Sequence, residues 1–219
     1  MKTRTLLILL LLCICSLGYA QSGRFFTADK ELSNSLVNKI YQDRKGIVWI
    51  ATEDGLNRYD GAKFTIYRHD KDDKNSLLND YVHALFEDSK ENLYIGFFKG
   101  LQRYDYATNS FIEIPIVLKE GNTKFNAHVV CILERRNGEI LIGCGGLGLF
   151  RLEHDPKEGL LAKELSTPYK CDQIASLFED NQNRLWVTTE NNGAFCETGK
   201  NTYKNYLKDE TEKRNGVQS

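Results

Sequence analysis

Four segments of this chain repeat one another, and this periodicity constrains the fold more than any other feature. Each segment has an apolar run, a polar turn, a second apolar run and then a glycine. Successive segments lie 45 residues apart, except that the second-to-third step is 47. A repeat of this length made of short strands indicates β-propeller blades. The recurring positions are Trp49, Tyr94, Leu141 and Trp186 in mid-strand, the glycines Gly55, Gly100, Gly148 and Gly193, and the turn aspartates Asp43, Asp88 and Asp180.

Within each unit the pattern predicts four short strands, so the fold class is all-β, with four-stranded antiparallel blades. The turn after the first strand begins with Asp, whose side chain caps it, and ends with Gly or Asn, which tolerates the left-handed conformation. The second unit has Glu91 at that last position. We therefore expect its turn to be wider than the others.

The repeat also sets the domain boundaries. Blades are predicted at 32–76, 77–122, 123–168 and 169–210, with a leading outer strand at 21–31 and the opening of a further blade at 211–219. An outer strand before the first blade would complete a last blade that the sequence does not contain. We therefore expect about four blades of a larger propeller; a closed four-blade ring is the alternative.

The first twenty residues differ from the rest. Lys2 and Arg4 precede an apolar run from Leu6 to Cys15, and small residues follow up to Ala20. This layout predicts a secretory signal peptide at 1–20, and the run is short for a membrane anchor. We expect a periplasmic or exported protein. A net charge of −1 gives no indication of nucleic-acid binding.

Cys131 and Cys144 lie on the first two strands of the third blade. If the turn between them has two residues, the cysteines are directly opposite and could form a cross-strand disulfide. If the loop has three residues, with Gly138 as a bulge, their side chains point to opposite faces. The sequence leaves both registers open.

No arrangement of residues predicts catalysis. Trp49, Tyr94 and Trp186 could be imagined as sugar-stacking platforms, but residues recurring in mid-strand are expected to pack between blades. The glycine run 143–148 has no following helix or Lys-Ser/Thr pair, so it is not a phosphate loop. The four histidines have no metal-ligand spacing; they are His69, His83, His128 and His154. We expect no cofactor, no metal and no enzymatic activity.

Three stretches of the first unit resemble the two-component regulator propeller repeat, and they are 32–38, 46–52 and 55–61. The same sequence pattern recurs from Leu78 to Asp105 and, less closely, in the last two units. The third unit departs most, with Arg135 for Asp and Leu141 for the aromatic. The resemblance covers essentially all of 25–210.

This resemblance implies a periplasmic sensor region of a hybrid histidine kinase that senses glycans or their fragments. The signal would pass through a membrane helix to kinase and response-regulator domains, so the implied partners are a glycan ligand, the remaining blades and those domains. A homodimer of the full receptor is also compatible with it. The alternatives are a stand-alone binding scaffold and an exported propeller lyase or hydrolase.

Overall fold

The computed structural model describes residues 23, 25–28, 30–119, 124–167, 173–199 and 202–206. These ranges contain eighteen strands. The predicted signal peptide at 1–20 and the predicted further blade at 211–219 lie outside the described residues. No helix in the described ranges is long and apolar enough to cross a membrane.

The strands form four sheets, and the four strands of each blade pair antiparallel with their sequence neighbours, which confirms the predicted all-β blades. Blade 1 contains β1 (Val37–Gln42), β2 (Val48–Thr52), β3 (Gly55–Tyr59) and β4 (Phe64–Tyr67). Blade 2 contains β5 (Val82–Glu87), β6 (Leu93–Phe97), β7 (Gly100–Asp105) and β8 (Ser110–Glu113). Blade 4 contains β15 (Ile174–Glu179), β16 (Leu185–Thr189), β17 (Ala194–Gly199) and β18 (Thr202–Asn205).

Blade 3 is wider than predicted. Its own strands are β11 (His128–Glu134), β12 (Ile140–Gly145), β13 (Gly148–Asp155) and β14 (Gly159–Glu164). Two short strands precede them, β9 (Ile116–Val117) and β10 (Lys124–Phe125), and β9 pairs in parallel with the outermost strand β14. Residues 116–117 therefore belong to the sheet of blade 3, although the repeat assigned them to blade 2. The step between blades 2 and 3 is two residues longer than the other steps, but this added length did not predict the pairing of β9 with β14.

Apolar side chains fill the space between successive blades. Trp49 of blade 1 is fully buried and packs with Leu93 and Tyr104 of blade 2. A second cluster joins blades 2 and 3, and a third, which includes Leu141 and Val187, joins blades 3 and 4. The first strand of each blade contacts that of the next. The cores of this protein thus lie between the sheets, which is why each repeat presents bulky residues at equivalent places.

The turn after the first strand has one geometry in all four blades. In blade 1, the Asp43 carboxylate accepts hydrogen bonds from the backbone N–H groups of Lys45 and Ile47, at 3.0 and 2.9 Å. The residue at the fourth position always has a positive φ, 82° at Gly46 and 64° at Glu91. The prediction of a wider turn at Glu91 is therefore wrong. The capping carboxylate of Asp88 holds the same turn, although a non-glycine residue there costs about 1 kcal/mol.

Blade 3 replaces the turn aspartate by Arg135, and the reason lies on the second strand. The aspartates of the other blades accept a hydrogen bond from that strand, from Trp49 Nε1 at 2.8 Å in blade 1. Leu141 occupies the equivalent position in blade 3 and has no polar hydrogen to donate. Arg135 instead reaches blade 4, where its guanidinium donates to Glu179 at 3.0 Å and Glu197 at 2.9 Å. The substitution thus exchanges a bond within a blade for ion pairs between blades.

The described blades form an open array, because each terminal blade has an uncovered face. On blade 1, Ile40 is 61% exposed, and on blade 4, Phe178 is 61% exposed. The described residues of the predicted leading strand, 23, 25–28, 30 and 31, lie in no strand. Instead, the Phe26 ring packs against Tyr59 and Phe64 of blade 1, with centroids 5.3 and 4.9 Å away. The closed four-blade ring is therefore not the arrangement of this structure.

The cysteines follow the second of the two registers open to the sequence. Cys131 lies opposite Gly143 and Cys144 lies opposite Val129, with an irregularity between the two pairs. Cys131 packs in the core shared with blade 4, whereas Cys144 packs in the core shared with blade 2. Both are free thiols, because the sheet separates their side chains. Burial raises the pKa of Cys131 to about 12, so this thiol stays protonated at neutral pH.

Candidate ligand-binding mouth

Four rings from blades 2 and 3 meet where the innermost strands begin, and we call Tyr81, His83, Phe98 and His128 the mouth cluster. His83 lies in β5, His128 opens β11 and Phe98 occupies the turn between β6 and β7. The His128 ring centroid is 4.8 Å from those of both His83 and Phe98. Tyr81 stacks on His83 at 6.3 Å. The Phe98 backbone N–H, which donates to the Tyr81 carbonyl at 3.5 Å, ties the turn to the strand.

The cluster combines an exposed apolar surface with buried polar atoms that lack partners. Phe98 is 52% exposed, unusual for a large aromatic side chain beside a core. Among the described residues, His83 Nδ1 and His128 Nε2 are buried and have no hydrogen-bond partner. An unmade hydrogen bond at a buried polar atom costs about 1–3 kcal/mol.

Blade 4 contributes polar groups to the same end of the array. Gln173 forms an isolated antiparallel bridge with Gly145, and the Glu190 backbone N–H donates to the Gln173 carbonyl at 3.0 Å. A Cβ atom built on Gly145 would lie only 3.2 Å from His128 Nδ1. The absence of a side chain at this position therefore lets blade 4 approach the histidine pair.

Both histidines favour the neutral form. Burial lowers the pKa of His83. Burial also lowers the pKa of His128, the neighbouring His83 lowers it further, and Glu190 acts in the opposite direction. The unfolded chain, with histidine pKa values near 6.5, therefore binds more protons than the folded chain at mildly acidic pH. The stability supplied by the neutral pair is complete above about pH 6.5 and is lost as the pH falls from there through the lower folded values.

We expect the free energy of unfolding to fall more steeply with acidification in the wild type than in the variant H83N/H128Q, whose side chains do not titrate. Urea denaturation at pH 7.5, 6.5 and 5.5 would measure this difference. His154→Asn is the matched control, because His154 is exposed on blade 3. Parallel pH profiles for the wild type and the double variant would contradict the assignment.

The structure separates the recurring positions between the two ends of the blades. Gly55, Gly100, Gly148 and Gly193 all have positive φ and form the turns at the end where the mouth cluster lies. The turn aspartates and the mid-strand residues lie toward the opposite end. There Trp49 and Tyr94 are buried and Trp186 is half-buried, each bonded to the turn aspartate of its own blade. None of these rings reaches the mouth.

The histidine pair was not predicted from the sequence, because the four histidines have no ligand-like spacing along the chain. His83 and His128 lie 45 residues apart, two fewer than the 47-residue step between blades 2 and 3, so they do not occupy equivalent repeat positions. They come into contact because both lie near the start of the inner strand in adjacent blades, which the repeat spacing alone did not predict. The described part of the chain contains no group of three or more His, Cys, Asp or Glu side chains placed to hold a metal ion.

Comparison with known families identifies the repeat. The model of the two component regulator propeller matches residues 31–54 and 168–191. Histidine kinase P4 of Formosa agariphila is 44% identical to this chain over 62 residues, which are 26% of this chain and 4% of the kinase. The chain thus matches only a small part of that much longer relative.

Solved structures share the fold. The extracellular domain of a hybrid two-component system from B. thetaiotaomicron superposes with a TM-score of 0.73 at 22% identity, over 88% of this chain and 28% of that one. Virginiamycin B lyase from Staphylococcus aureus superposes with a TM-score of 0.56 at 19% identity, over 80% of this chain and 57% of the lyase. Segments of the first and last units thus match the two component regulator propeller model, and the chain shares its propeller fold with the extracellular domains of hybrid two-component systems.

Proposed function

We propose that this chain is the ligand-recognition part of an exported sensor whose signal reaches a histidine kinase. The matched repeats carry the proposal, since they are those of two component regulators and the similar stretch of the Formosa agariphila protein belongs to a histidine kinase. The basic and apolar leader of the sequence supports export through a cleaved signal peptide. The propeller itself has no catalytic role in this proposal, and the kinase, membrane helix and further blades belong to the parent receptor.

The mouth cluster is the proposed ligand site, and its chemistry suits a glycan fragment. A sugar ring presents C–H groups that pack on an aromatic face, and Phe98 offers such a face to solvent. Its hydroxyl groups both donate and accept hydrogen bonds, so they suit the half-buried imidazole rings of His83 and His128 in either tautomer. Blades 2 and 3 supply the rings of the cluster, and Gln173 of blade 4 lies beside it.

Replacement of Phe98 by Ala should weaken oligosaccharide binding by about 10-fold or more, because stacking area is lost while the strands stay intact. Isothermal titration calorimetry with neutral and uronic-acid oligosaccharides of two to six sugar units would measure the dissociation constants of the wild type and the variant. Phe125→Ala is the matched control: Phe125 is similarly exposed, but it lies on the short edge strand β10 of blade 3. Equal affinities for the two variants would refute the site, and no binding of any oligosaccharide would refute the ligand class.

A second candidate function is lyase activity, favoured by one observation. No other blade has a histidine at the repeat position of His83 or at that of His128, and the lyase that shares this fold has a histidine-to-alanine variant described as catalytically inactive. Incubation with quinupristin, followed by mass spectrometry, separates the two functions. Turnover abolished in His83→Ala or His128→Ala would favour the lyase; unchanged quinupristin would favour the sensor.

A further inference from the structure

The residues that follow the second strand form a row at the mouth, and blade 3 interrupts that row. In the other three blades, the backbone N–H of this residue donates to the carbonyl of the residue before the inner strand. These donors are Glu53, Phe98 and Glu190, at 3.3, 3.5 and 3.0 Å. Gly145 holds the equivalent place in blade 3, opposite His128. The mouth therefore has a gap between Phe98 of blade 2 and Glu190 of blade 4.

Gly145 serves to leave space, and no backbone constraint requires a glycine there. Its φ lies outside the left-handed region, unlike that of the four recurring glycines. A Cβ atom at this position would lie 3.2 Å from His128 Nδ1 and 3.3 Å from Gln173 Oε1, closer than an ordinary van der Waals contact. The missing side chain thus lets the imidazole of one blade and the amide of the next approach the same point of the mouth.

The groups around the gap attract a cation. Glu190 is exposed, and no described residue forms an ion pair with it. Gln173 adds a side-chain carbonyl that accepts from no described residue. On the other side of the gap, Phe98 is 52% exposed and its ring centroid lies 4.8 Å from that of His128. A carboxylate, an amide oxygen and an aromatic face together favour a positively charged hydrogen-bond donor.

The mouth also has a competing positive charge, on Lys99. This residue follows Phe98 in the turn of blade 2, and it is exposed. Burial and the neighbouring His83 lower the pKa of His128, and the Glu190 carboxylate acts in the opposite direction, whereas Lys99 has no effect on it. The carboxylate is therefore the charge nearer to the gap.

We propose that the gap at Gly145 binds the protonated amino group of an amino sugar. The sugar ring packs on Phe98, and its ammonium group donates to Glu190 and Gln173. This inference rests on the mouth cluster being the ligand site of the sensor, and it narrows the ligand class from glycan fragments to those with a free amine. An ammonium group has three donors and no acceptor, which suits the two acceptors at the gap. A neutral sugar has the same stacking face but leaves the Glu190 carboxylate without a counter-charge.

Three series of oligosaccharides that share one β-1,4-linked backbone separate the amine from the rest of the sugar. They are oligomers of glucosamine, N-acetylglucosamine and glucose, which differ only in the group at C2. Isothermal titration calorimetry with the tetramers at pH 6.0, at which the amine is protonated, would measure the dissociation constants. We expect the glucosamine tetramer to bind at least about 10-fold more tightly than the other two, as a hydrogen bond to a charged group allows. This difference should shrink in 0.5 M NaCl, because salt screens an exposed ion pair.

Two variants test the residues of the gap. Glu190→Gln should abolish the preference for the amine while it leaves the binding of the glucose tetramer unchanged. Glu53→Gln is the matched control, because Glu53 holds the same turn position in blade 1, two blades from the gap. Gly145→Ala should weaken the binding of all three tetramers, since the added methyl group displaces His128 and Gln173. Far-UV circular dichroism would check that each variant is folded.

The possible failures are distinguishable from one another. Equal affinities for the three tetramers, all weakened by Phe98→Ala, would overturn the role of the amine and leave the mouth as a glycan site. A preference for the amine that Glu190→Gln retains would overturn the assignment to the gap. Tighter binding of uronic-acid oligosaccharides, lost in Lys99→Ala, would overturn the proposal in favour of an anionic ligand. Binding of none of these sugars would overturn both this inference and the proposed ligand class.

Discussion

Replacement of Trp49 by Ala should lower the free energy of unfolding by about 3–5 kcal/mol, the cost of removing a large aromatic side chain from a core. The indole is fully buried between blades 1 and 2, where its ring meets Tyr104 edge-on at 4.8 Å. The substitution also removes one of the donors to Asp43, although the Tyr106 hydroxyl still donates to that carboxylate at 2.8 Å. The blades are coupled through such interfaces, so blade 1 should begin to unfold separately from the others.

Urea denaturation followed by tryptophan fluorescence and by far-UV circular dichroism would measure both effects. Trp186→Ala is the matched control, since Trp186 occupies the same repeat position but lies half-buried on the open face of blade 4. Trp186→Ala should lower the free energy of unfolding roughly half as much as Trp49→Ala, because the half-buried Trp186 removes less apolar surface from water on folding. Equal losses for the two variants would contradict the role assigned to the interface between blades 1 and 2.

Replacement of Arg135 by Ala should lower the free energy of unfolding by about 2–3 kcal/mol, somewhat less than the loss of a fully buried ion-pair partner does. Its side chain is 13% exposed and lies among Glu139, Glu179 and Glu197, so its removal leaves three carboxylates without their shared cation. Hydrogen bonds and charge from Arg136 and Arg135 outweigh burial and lower the pKa of Glu179. The stabilising contribution of Glu179 is therefore present above its unfolded pKa of about 4.5 and is lost as the pH falls through its lower folded value.

Arg151→Ala provides the comparison, because Arg151 also pairs with two glutamates but is 42% exposed. Such exposed pairs contribute about 0–1 kcal/mol, and salt screens them. Urea denaturation at pH 7.5 in 0.1 M and 1 M NaCl should show a large loss for Arg135→Ala in both solutions and a small one for Arg151→Ala. If Arg135→Ala were as mild as the control, blades 3 and 4 would depend on apolar packing alone.

The sequence predicted the features that depend on local patterns repeated along the chain. Alternating apolar residues, turn aspartates and glycines defined the blades, because each acts within one strand or turn and recurs at fixed spacing. Glu91 shows where this reasoning fails. Its positive φ is accommodated in a turn that the Asp88 carboxylate stabilises by accepting from the backbone N–H groups of Lys90 and Asn92.

Features that depend on contacts between blades were not predictable in the same way. Arg135 looked like a loss of the turn motif, and only the neighbouring blade explains its charge. The pair formed by His83 and His128 was missed for a similar reason, since its members lie in different repeats and meet only when the blades stand side by side. The ligand site therefore depends on the relative placement of blades, which no single repeat specifies.

The parallel strand β9 has a consequence for the order in which the protein assembles. Its residues, 116–117, precede blade 3, but their partners Ala162 and Lys163 are the last part of blade 3 to be made. During synthesis from the N-terminus, β9 can pair with β10 early, but its pairing with β14 waits while some forty-five residues emerge. The Ala162 amide proton, which bonds to the Pro115 carbonyl at 2.8 Å across this pairing, should accordingly be among the last in blades 2 and 3 to gain protection when the chain folds as it is synthesised.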